Sequence, residues 1–290
     1  MAFVLTPDML RCPDCRSDRI TQEETPESGF RCAACGTFMQ RHGAVISGLP
    51  KTMASNTEAN LGHYEEMAHC GDSLLARRAK TRNHRIKFDT IAGITELGGD
   101  GPRKSVFEVG AGAGTHGAEF ARRGHHYVGL DISAAALYRA AAENAVLVHA
   151  PLLAGDATRI PLGDNLFDVV FCVATLHHLP EPLDGLREMV RVLKPGGIFC
   201  FMEPRWYYPT QLYGYFCHPD VEVGTFKITS GRLLRALREC GVKEARVAPC
   251  VYTPNSPAVL IPLFDVIDQV CAAVSVLHPM SVVRCTHGVK

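Results

Sequence analysis

From residue 103 onward, short apolar runs alternate with segments whose apolar positions recur every three or four residues. Continuously apolar runs of this length are typical of strands buried on both faces of a sheet. The runs are 105–109, 127–130, 167–173 and 198–202, and helical patterns occupy 115–123, 133–144 and 182–193 between them. This alternation predicts a doubly wound α/β fold with a mostly parallel, Rossmann-like sheet.

The segments on either side have different patterns. Residues 1–50 contain two short cysteine pairs and little helical periodicity, which predicts a small zinc-ribbon-like module. Residues 51–102 predict a helical lid that ends in a glycine-rich linker, and 103–290 form the main domain. Within that domain we expect an aromatic insertion at about 205–228, a helix over 229–240, a strand over 242–250 and an apolar helix at about 257–277.

Charge and composition narrow the class of protein. The 290 residues hold 30 Lys and Arg against 30 Asp and Glu, so no net positive field attracts a polyanion, and a nucleic-acid substrate is disfavoured. The apolar run near the carboxyl end contains Pro262, Asp265 and Asp268, so no transmembrane segment is expected. The first ten residues lack the pattern of a secretory leader, which favours a cytoplasmic location.

The amino-terminal cysteines have the spacing of a metal site. Cys12 and Cys15 form one Cys-x-x-Cys pair, and Cys32 and Cys35 form the second. Four thiolates in two such pairs surround a tetrahedral ion, and zinc is the expected ion. Iron in a rubredoxin-like site is the alternative, because four sulfurs suit both metals. We expect a structural role for the module, with recognition of substrate or of a partner as the alternative.

A glycine-rich turn follows the first predicted strand, which carries Glu108. The turn residues are Gly110, Ala111, Gly112 and Gly114. Glycines let a ligand approach the backbone closely, and Asp131, after the next apolar run, is placed to meet a ribose diol. Residues 112–117 also satisfy the weak Gly-x-Gly-x-x-Gly pattern of dinucleotide folds. A carboxylate at Glu108 suits a cationic methionyl group better than a pyrophosphate.

Further motifs follow this turn in a fixed order. They are Gly155-Asp156-Ala157, Asn165-Leu166-Phe167-Asp168, Leu176-His177-His178-Leu179 and Arg191-Val192-Leu193-Lys194-Pro195-Gly196-Gly197. With the glycine turn, the set resembles class I S-adenosylmethionine-dependent methyltransferases of the ubiquinone-biosynthesis type (type 11 methyltransferases), over roughly residues 64–203. The resemblance implies a seven-stranded sheet and S-adenosylmethionine as cofactor.

The resemblance also implies which residues contact each part of the cofactor. The 110–114 loop is expected to wrap the methionine portion, Asp131 with Ile132 the ribose, and Asp156 with Ala157 the adenine. Tyr64 resembles the family's amino-terminal lid residue, and core packing is an alternative role for it. Glu108 and Cys172 complete the predicted set, although Cys172 also fits a small core residue.

Candidates for acid–base chemistry lie near the carboxyl edge of the predicted sheet. The sulfonium of the cofactor supplies the chemical drive, so a general base is needed only when the acceptor starts protonated. The candidates are His177, His178 and His218, with Glu203, Tyr207 and Tyr208 as rivals. A packing or cofactor-contact role remains the alternative for the histidine pair.

Three functions stay open from the sequence. The first is methylation of a small-molecule or lipid-like metabolite at oxygen, nitrogen or carbon, under a lid of Tyr207, Tyr208, Phe216 and the apolar carboxyl-terminal helix. The second is methylation of an RNA base, because the layout also resembles ribosomal RNA guanine-N1 methyltransferases that carry a zinc module. A basic run that includes Arg77, Arg78, Lys80 and Arg82 supports this alternative. The third is a non-catalytic cofactor-binding protein that recruits a partner through the module.

Overall fold

The amino-terminal cysteines lie on and beside a small antiparallel meander. The computed structural model describes residues 3–24, 27–69, 82–99, 101–242, 244–253 and 260–290. The meander comprises β1 (Ile20–Glu23), β2 (Gly29–Cys32), β3 (Phe38–His42) and β4 (Val45–Ser47). In the described part of the region predicted to be helical, the chain forms α1 (Ser55–His69) and α2 (Arg82–Thr95).

The main domain alternates strands and helices as its pattern predicts. Its strands are β5 (Ser105–Val109), β6 (His126–Asp131), β7 (Leu152–Ala154), β8 (Phe167–Val173), β9 (Leu193–Pro204), β10 (Glu244–Val251) and β11 (Val283–Val289). Its helices are α3 (Thr115–Arg122), α4 (Ala134–Glu143), α5 (Pro182–Val192), α6 (Pro209–Cys217), α7 (Ser230–Glu239) and α8 (Ile261–Ala273). Residues at the amino-terminal ends determine where two of these helices begin. The side chain of Ser133 accepts a hydrogen bond from the N–H of Ala136 at the start of α4, and Pro182 is the first residue of α5.

Strand order explains where a ligand can bind. The seven strands of the main domain run in the order β7-β6-β5-β8-β9-β11-β10, with β5 to β9 parallel and β11 antiparallel to both its neighbours. The chain leaves β5 toward β6 on one side and returns to β8 on the other. In such sheets ligands bind outside the carboxyl ends of the strands, at this point of reversal.

The amino-terminal module continues this sheet, which therefore has eleven strands among the described residues. Strand β4 pairs in parallel with β7, and Val45 lies opposite Leu152. The backbone N–H of Gly48 also donates to the carbonyl oxygen of Ala154 at 2.7 Å. The cysteine-bearing meander is thus fixed to one edge of the main sheet by main-chain hydrogen bonds.

The sequence pattern misses parts of this sheet. The predicted strands 105–109 and 167–173 coincide with β5 and β8, whereas the predicted 198–202 is the middle of the longer β9. Helix α5 ends at Val192 because Leu193 already has extended backbone and begins β9. Strands β7 and β11 were not expected, because one has three residues and the other includes Arg284, Thr286 and His287.

The carboxyl-terminal helix α8 packs through an ion-pair cluster. Arg82, 3% exposed in its side chain, donates to Asp265 at 2.5 Å, to Asp268 at 2.9 Å and to Thr253 at 3.1 Å. These contacts account for Asp265 and Asp268 in an otherwise apolar helix. They also show that the side chain of Arg82 is buried and does not face solvent. Residues 254–259, where this helix was predicted to start, and Arg77, Arg78 and Lys80 lie outside the described residues. No described helix combines the length and apolarity needed to span a membrane.

Candidate functional site

The glycine turn between β5 and α3 requires glycine on geometric grounds. Gly110, Gly112 and Gly114 have φ of 76°, 49° and 67°, a region that side-chain-bearing residues rarely adopt. A Cβ on Gly110 would lie 2.1 Å from Oγ1 of Thr175. Thr175 is itself held, since its hydroxyl donates to the carbonyl of Val109 at 3.1 Å. The turn therefore brings bare backbone against the end of β8.

Asp131 at the end of β6 ties this turn to the next one. Its Oδ2 accepts from the N–H of Gly112 at 2.7 Å, and its Oδ1 accepts from the N–H of Ser133 at 2.9 Å. Burial raises the pKa of Asp131 from 3.8 to about 6, although these N–H groups oppose the shift. The carboxylate also lines the cavity described below, where a ribose diol is expected.

Asp156 closes the third turn, after β7. Its Oδ1 accepts from the N–H and the hydroxyl of Thr158, at 2.7 and 2.8 Å. Asp156 and Ala157 line the same cavity as Asp131. Three successive strand ends therefore present the glycine turn and two carboxylates to one space.

That space is a cavity of about 740 Å³ at the carboxyl edge of the parallel strands. The predicted cofactor residues that line it are Tyr64, Gly110, Gly112, Asp131, Ile132, Asp156 and Ala157. Ala111, Gly114, Glu108 and Cys172 lie outside the lining. Glu108, 2% exposed, accepts from the hydroxyl of Tyr127 at 2.7 Å, and the sulfur of Cys172 lies 3.8 Å from Glu203. For these four positions direct contact with the cofactor stays a prediction.

A second group of polar side chains lines the same cavity and includes the histidine pair on the turn after β8. His177 and His178 line it, together with Gln211, His218 and Glu222 from the predicted insertion. Nδ1 of His177 lies 2.7 Å from Oε2 of Glu203, and its Nε2 lies 3.6 Å from Oε2 of Glu222. Nδ1 of His178 lies 3.2 Å from the carbonyl oxygen of Val221 and 3.9 Å from Oε1 of Glu222. The three predicted histidines thus share one cavity, and Glu203 lies behind them.

Electrostatics distinguish the two adjacent histidines. Burial, reinforced by the neighbouring His177, lowers the pKa of His178 well below its usual range, so His178 is neutral. Burial alone would raise the pKa of Glu203, but His177 and the N–H groups of Leu176 and Thr175 lower it overall. An ionised Glu203 can only accept hydrogen bonds, and it orients the ring of His177.

The other rival candidates do not reach this space. The hydroxyl of Tyr207 donates to the carbonyl of Pro279, and that of Tyr208 donates to the carbonyl of Tyr252 at 3.4 Å. Phe216 is 76% exposed. None of the three is among the lining residues, so the residues of the insertion that cover the cavity are Gln211, His218, Val221 and Glu222.

Known proteins are similar in sequence to part of this chain. Residues 107–201 match the family model described as "Methyltransferase domain". Demethylmenaquinone methyltransferase of Mycobacterium tuberculosis (strain ATCC 25618 / H37Rv) is 37% identical over 124 residues, which are 38% of this chain and 51% of that protein. The enzyme of the same name from Renibacterium salmoninarum is 36% identical over 126 residues, 43% of this chain and 49% of that protein.

The chain contains a class I S-adenosylmethionine-dependent methyltransferase domain. It spans about half the length of the curated relatives it matches. Solved structures extend the likeness in fold. A methyltransferase from Thermotoga maritima has a TM-score of 0.54 at 17% identity, over 79% of this chain and all of that one. The N-methyltransferase NodS from Bradyrhizobium japonicum WM9, solved with S-adenosyl-L-homocysteine, also has a TM-score of 0.54, at 15% identity over 81% and 99% of the two chains.

The four cysteines beside this methyltransferase domain converge as their spacing predicts. The sulfurs of Cys12 and Cys35 are 3.5 Å apart, those of Cys15 and Cys32 are 3.6 Å apart, and all four lie within 4.8 Å of one another. A tetrahedral zinc ion with bonds of about 2.3 Å separates its sulfurs by about 3.8 Å. The donor set therefore fits one tetrahedral metal ion.

The cysteine module contacts the loop that carries Asp156. Arg16, next to Cys15, donates to both carboxylate oxygens of Glu188 on α5 at 2.8 and 3.0 Å, and to the carbonyl of Ile160 at 3.1 Å. Arg159 returns a hydrogen bond to the carbonyl of Asp14 at 2.6 Å. The module thus braces the segment that follows the expected adenine contacts.

Sequence reasoning missed two functional positions. Glu222 lies in an aperiodic segment, where no spacing relates it to the histidines 45 positions earlier. Thr175 lies between two recognised motifs, and only the close approach to Gly110 gives it a role. Glu203, by contrast, was predicted as a rival candidate, together with Tyr207 and Tyr208, from the aromatic insertion.

Proposed function

We propose that this protein transfers a methyl group from S-adenosylmethionine to a small-molecule or lipid-like acceptor. The observation that carries the proposal is the single cavity, which connects the glycine turn, Asp131 and Asp156 to the polar cluster at His177 and Glu222. Its volume lies in the range of small-molecule sites. Donor and acceptor can therefore share one enclosed space.

The glycine turn and the two aspartates that line the cavity fit S-adenosylmethionine. The close backbone at Gly110 and Gly112 would contact the methionyl portion, Asp131 the ribose hydroxyls, and Asp156 with Ala157 the adenine. When bound, the cofactor supplies an electrophilic methyl group on a sulfonium. The protein contributes by aligning the methyl donor with the acceptor. Holding the two reactants in line lowers the activation free energy by up to about 7–11 kcal/mol.

The other residues that line the cavity indicate the chemistry of the acceptor. They include the apolar Val173, Met202, Val251, Val282 and Val283, together with the histidine pair and Glu222. This arrangement suits an organic molecule with an apolar body and one polar group. The names of the relatives point the same way, since demethylmenaquinone methyltransferases act on a small molecule.

Methylation of RNA has less support. Arg82 of the basic run is turned inward onto Asp265 and Asp268. In the cysteine module, Arg11 pairs with Asp164 and Arg16 with Glu188. These cations are used within the chain, and the whole sequence has no excess of positive charge.

The test of the proposal is where a labelled methyl group goes. Purified protein is incubated with methyl-labelled S-adenosylmethionine and either ribosomal RNA or a fractionated small-molecule and lipid extract, with Gly110→Val as the blank. We expect label in the small-molecule or lipid fraction with the wild type alone. Label in RNA would replace the proposed acceptor class, and bound cofactor without transfer to any fraction would indicate a non-catalytic protein.

A metal in the cysteine module is the second part of this proposal. We assign zinc to Cys12, Cys15, Cys32 and Cys35, with a structural role, because the module contacts the cofactor loop from outside the cavity. Iron is distinguished by colour and by elemental analysis of the purified chain.

A further inference from the structure

A second set of metal-ligand side chains lies inside the cavity, outside the cysteine module. One donor atom from each of His177, His178 and Glu222 lies within 4.8 Å of the other two. His177 is buried, while His178 and Glu222 are partly buried. Two imidazoles and a carboxylate are a donor set that divalent transition metals bind.

The tautomer of His177 favours metal binding. Glu203, fully buried, accepts hydrogen bonds from the N–H groups of Thr175 and Leu176 and from Nδ1 of His177 at 2.7 Å. Because a carboxylate only accepts, the ring hydrogen is on Nδ1 and the lone pair of a neutral ring is on Nε2. A carboxylate behind the remote nitrogen is the usual support of a metal-binding histidine.

The atom that faces Nε2 of His177 is a carboxylate oxygen, Oε2 of Glu222, at 3.6 Å. Glu222 is held in this position, because its Oε2 accepts from Gln211 and, at 3.1 Å, from Thr225. A cation between these two atoms can contact both of them. In a tetrahedral site with bonds of about 2.1 Å, ligand atoms are about 3.4 Å apart, close to the observed separation.

We propose that His177, His178 and Glu222 bind one divalent metal ion, of the zinc or cobalt type, with a coordination position open to the cavity. The ion would bind an oxygen of the acceptor, lower the pKa of a coordinated hydroxyl and let its proton leave to solvent. The binding site stands on the geometry alone. Only this role toward the acceptor rests on the proposed methyl transfer.

Cobalt substitution separates this site from the cysteine module. Chelator-treated full-length protein is titrated with Co²⁺, and bound metal per chain is measured with the absorption spectrum. Thiolate ligands at the cysteine site give intense near-ultraviolet charge-transfer bands, whereas nitrogen and oxygen ligands do not. We expect two Co²⁺ per chain in the wild type, with charge transfer associated with one of them.

Variants assign the second ion. Glu222→Gln and His178→Asn should each bind one Co²⁺ and keep the full charge-transfer band, while His63→Asn, on the same cavity wall, should still bind two. Circular dichroism and S-adenosylmethionine binding show that each variant is folded and that its cofactor site is intact, independently of turnover. A wild type that binds only the thiolate-associated ion would overturn the proposal and assign His177 as an imidazolium between two carboxylates.

Discussion

At the scale of single residues, the account depends on a few backbone and carboxylate positions. Gly110 was predictable, because a glycine turn directly after a buried strand is a strong local signal. Its partner Thr175 was not, because the contact joins positions 65 residues apart and depends on how β5 and β8 pair. Local pattern therefore identifies the turn, whereas only the fold explains why this glycine cannot change.

Gly110→Ala is expected to weaken cofactor binding at least tenfold, or about 1.4 kcal/mol. The added Cβ would overlap Thr175, and the left-handed backbone adds about 1–2 kcal/mol of strain. Calorimetric titration with S-adenosylmethionine measures the change. Gly99→Ala, where a Cβ meets no atom within 4 Å, is the matched control. Equal affinities for the two variants would contradict the role assigned to this turn.

Asp131 predicts how cofactor binding depends on pH. Because burial raises its pKa to about 6, the carboxylate becomes protonated as the pH falls through 6 and stops accepting from ribose hydroxyls. Affinity should drop roughly sevenfold between pH 7.5 and pH 5.2, in proportion to the ionised fraction. The free energy of unfolding depends on pH in the opposite direction. Because the pKa of Asp131 is raised in the folded state, protonation of Asp131 stabilises that state at low pH, and this stabilisation is lost as the pH rises through 6.

Asp131→Asn separates this effect from other titrations. The variant should bind more weakly at pH 7.5, and its affinity should change little between the two pH values, with metal content checked at both. The same sevenfold drop in the variant would assign the dependence to another group.

At the scale of elements, the sequence predicted most of the sheet but not its edges. Strands β5 and β8 are predominantly apolar runs, so their limits were correct, whereas β7 is too short to form a pattern and β11 is too polar. Pairing of β4 with β7 uses main-chain groups, which leave no trace in side-chain pattern. The position of Glu222 beside the histidines could not be predicted either, because the segment that carries it has no periodic pattern.

The brace between the cysteine module and α5 gives a prediction at this scale. Arg16→Ala should lower the free energy of unfolding by about 1 kcal/mol and weaken cofactor binding, because the loop after Asp156 loses a support. The stability loss is modest because Glu188 keeps two hydrogen bonds from Arg191, at 2.7 and 2.8 Å. Urea unfolding and calorimetry measure both effects.

Arg19→Ala is the control for this brace, since Arg19 donates to Ala33 inside the module. If Arg16→Ala and Arg19→Ala have the same cofactor affinity, the module does not support the cofactor loop.

At the scale of the whole molecule, one continuous sheet joins the cysteine module to the methyltransferase domain. The sequence distinguished these two parts by their cysteine pairs and periodicity, and it identified the family from motifs in their order. It could not show that seven of the expected cofactor residues and the three histidines line one cavity. That property depends on the reversal of strand order around β5, together with the cover supplied by α1 and the insertion.

The most direct measurement of the central claim is formation of S-adenosylhomocysteine by the purified protein. We predict that S-adenosylhomocysteine forms only when a small-molecule or lipid fraction is present, that RNA does not substitute for this fraction, and that the Gly110→Val variant forms none. The proposed methyl transfer would be contradicted if the wild-type protein bound S-adenosylmethionine but formed no S-adenosylhomocysteine with any fraction.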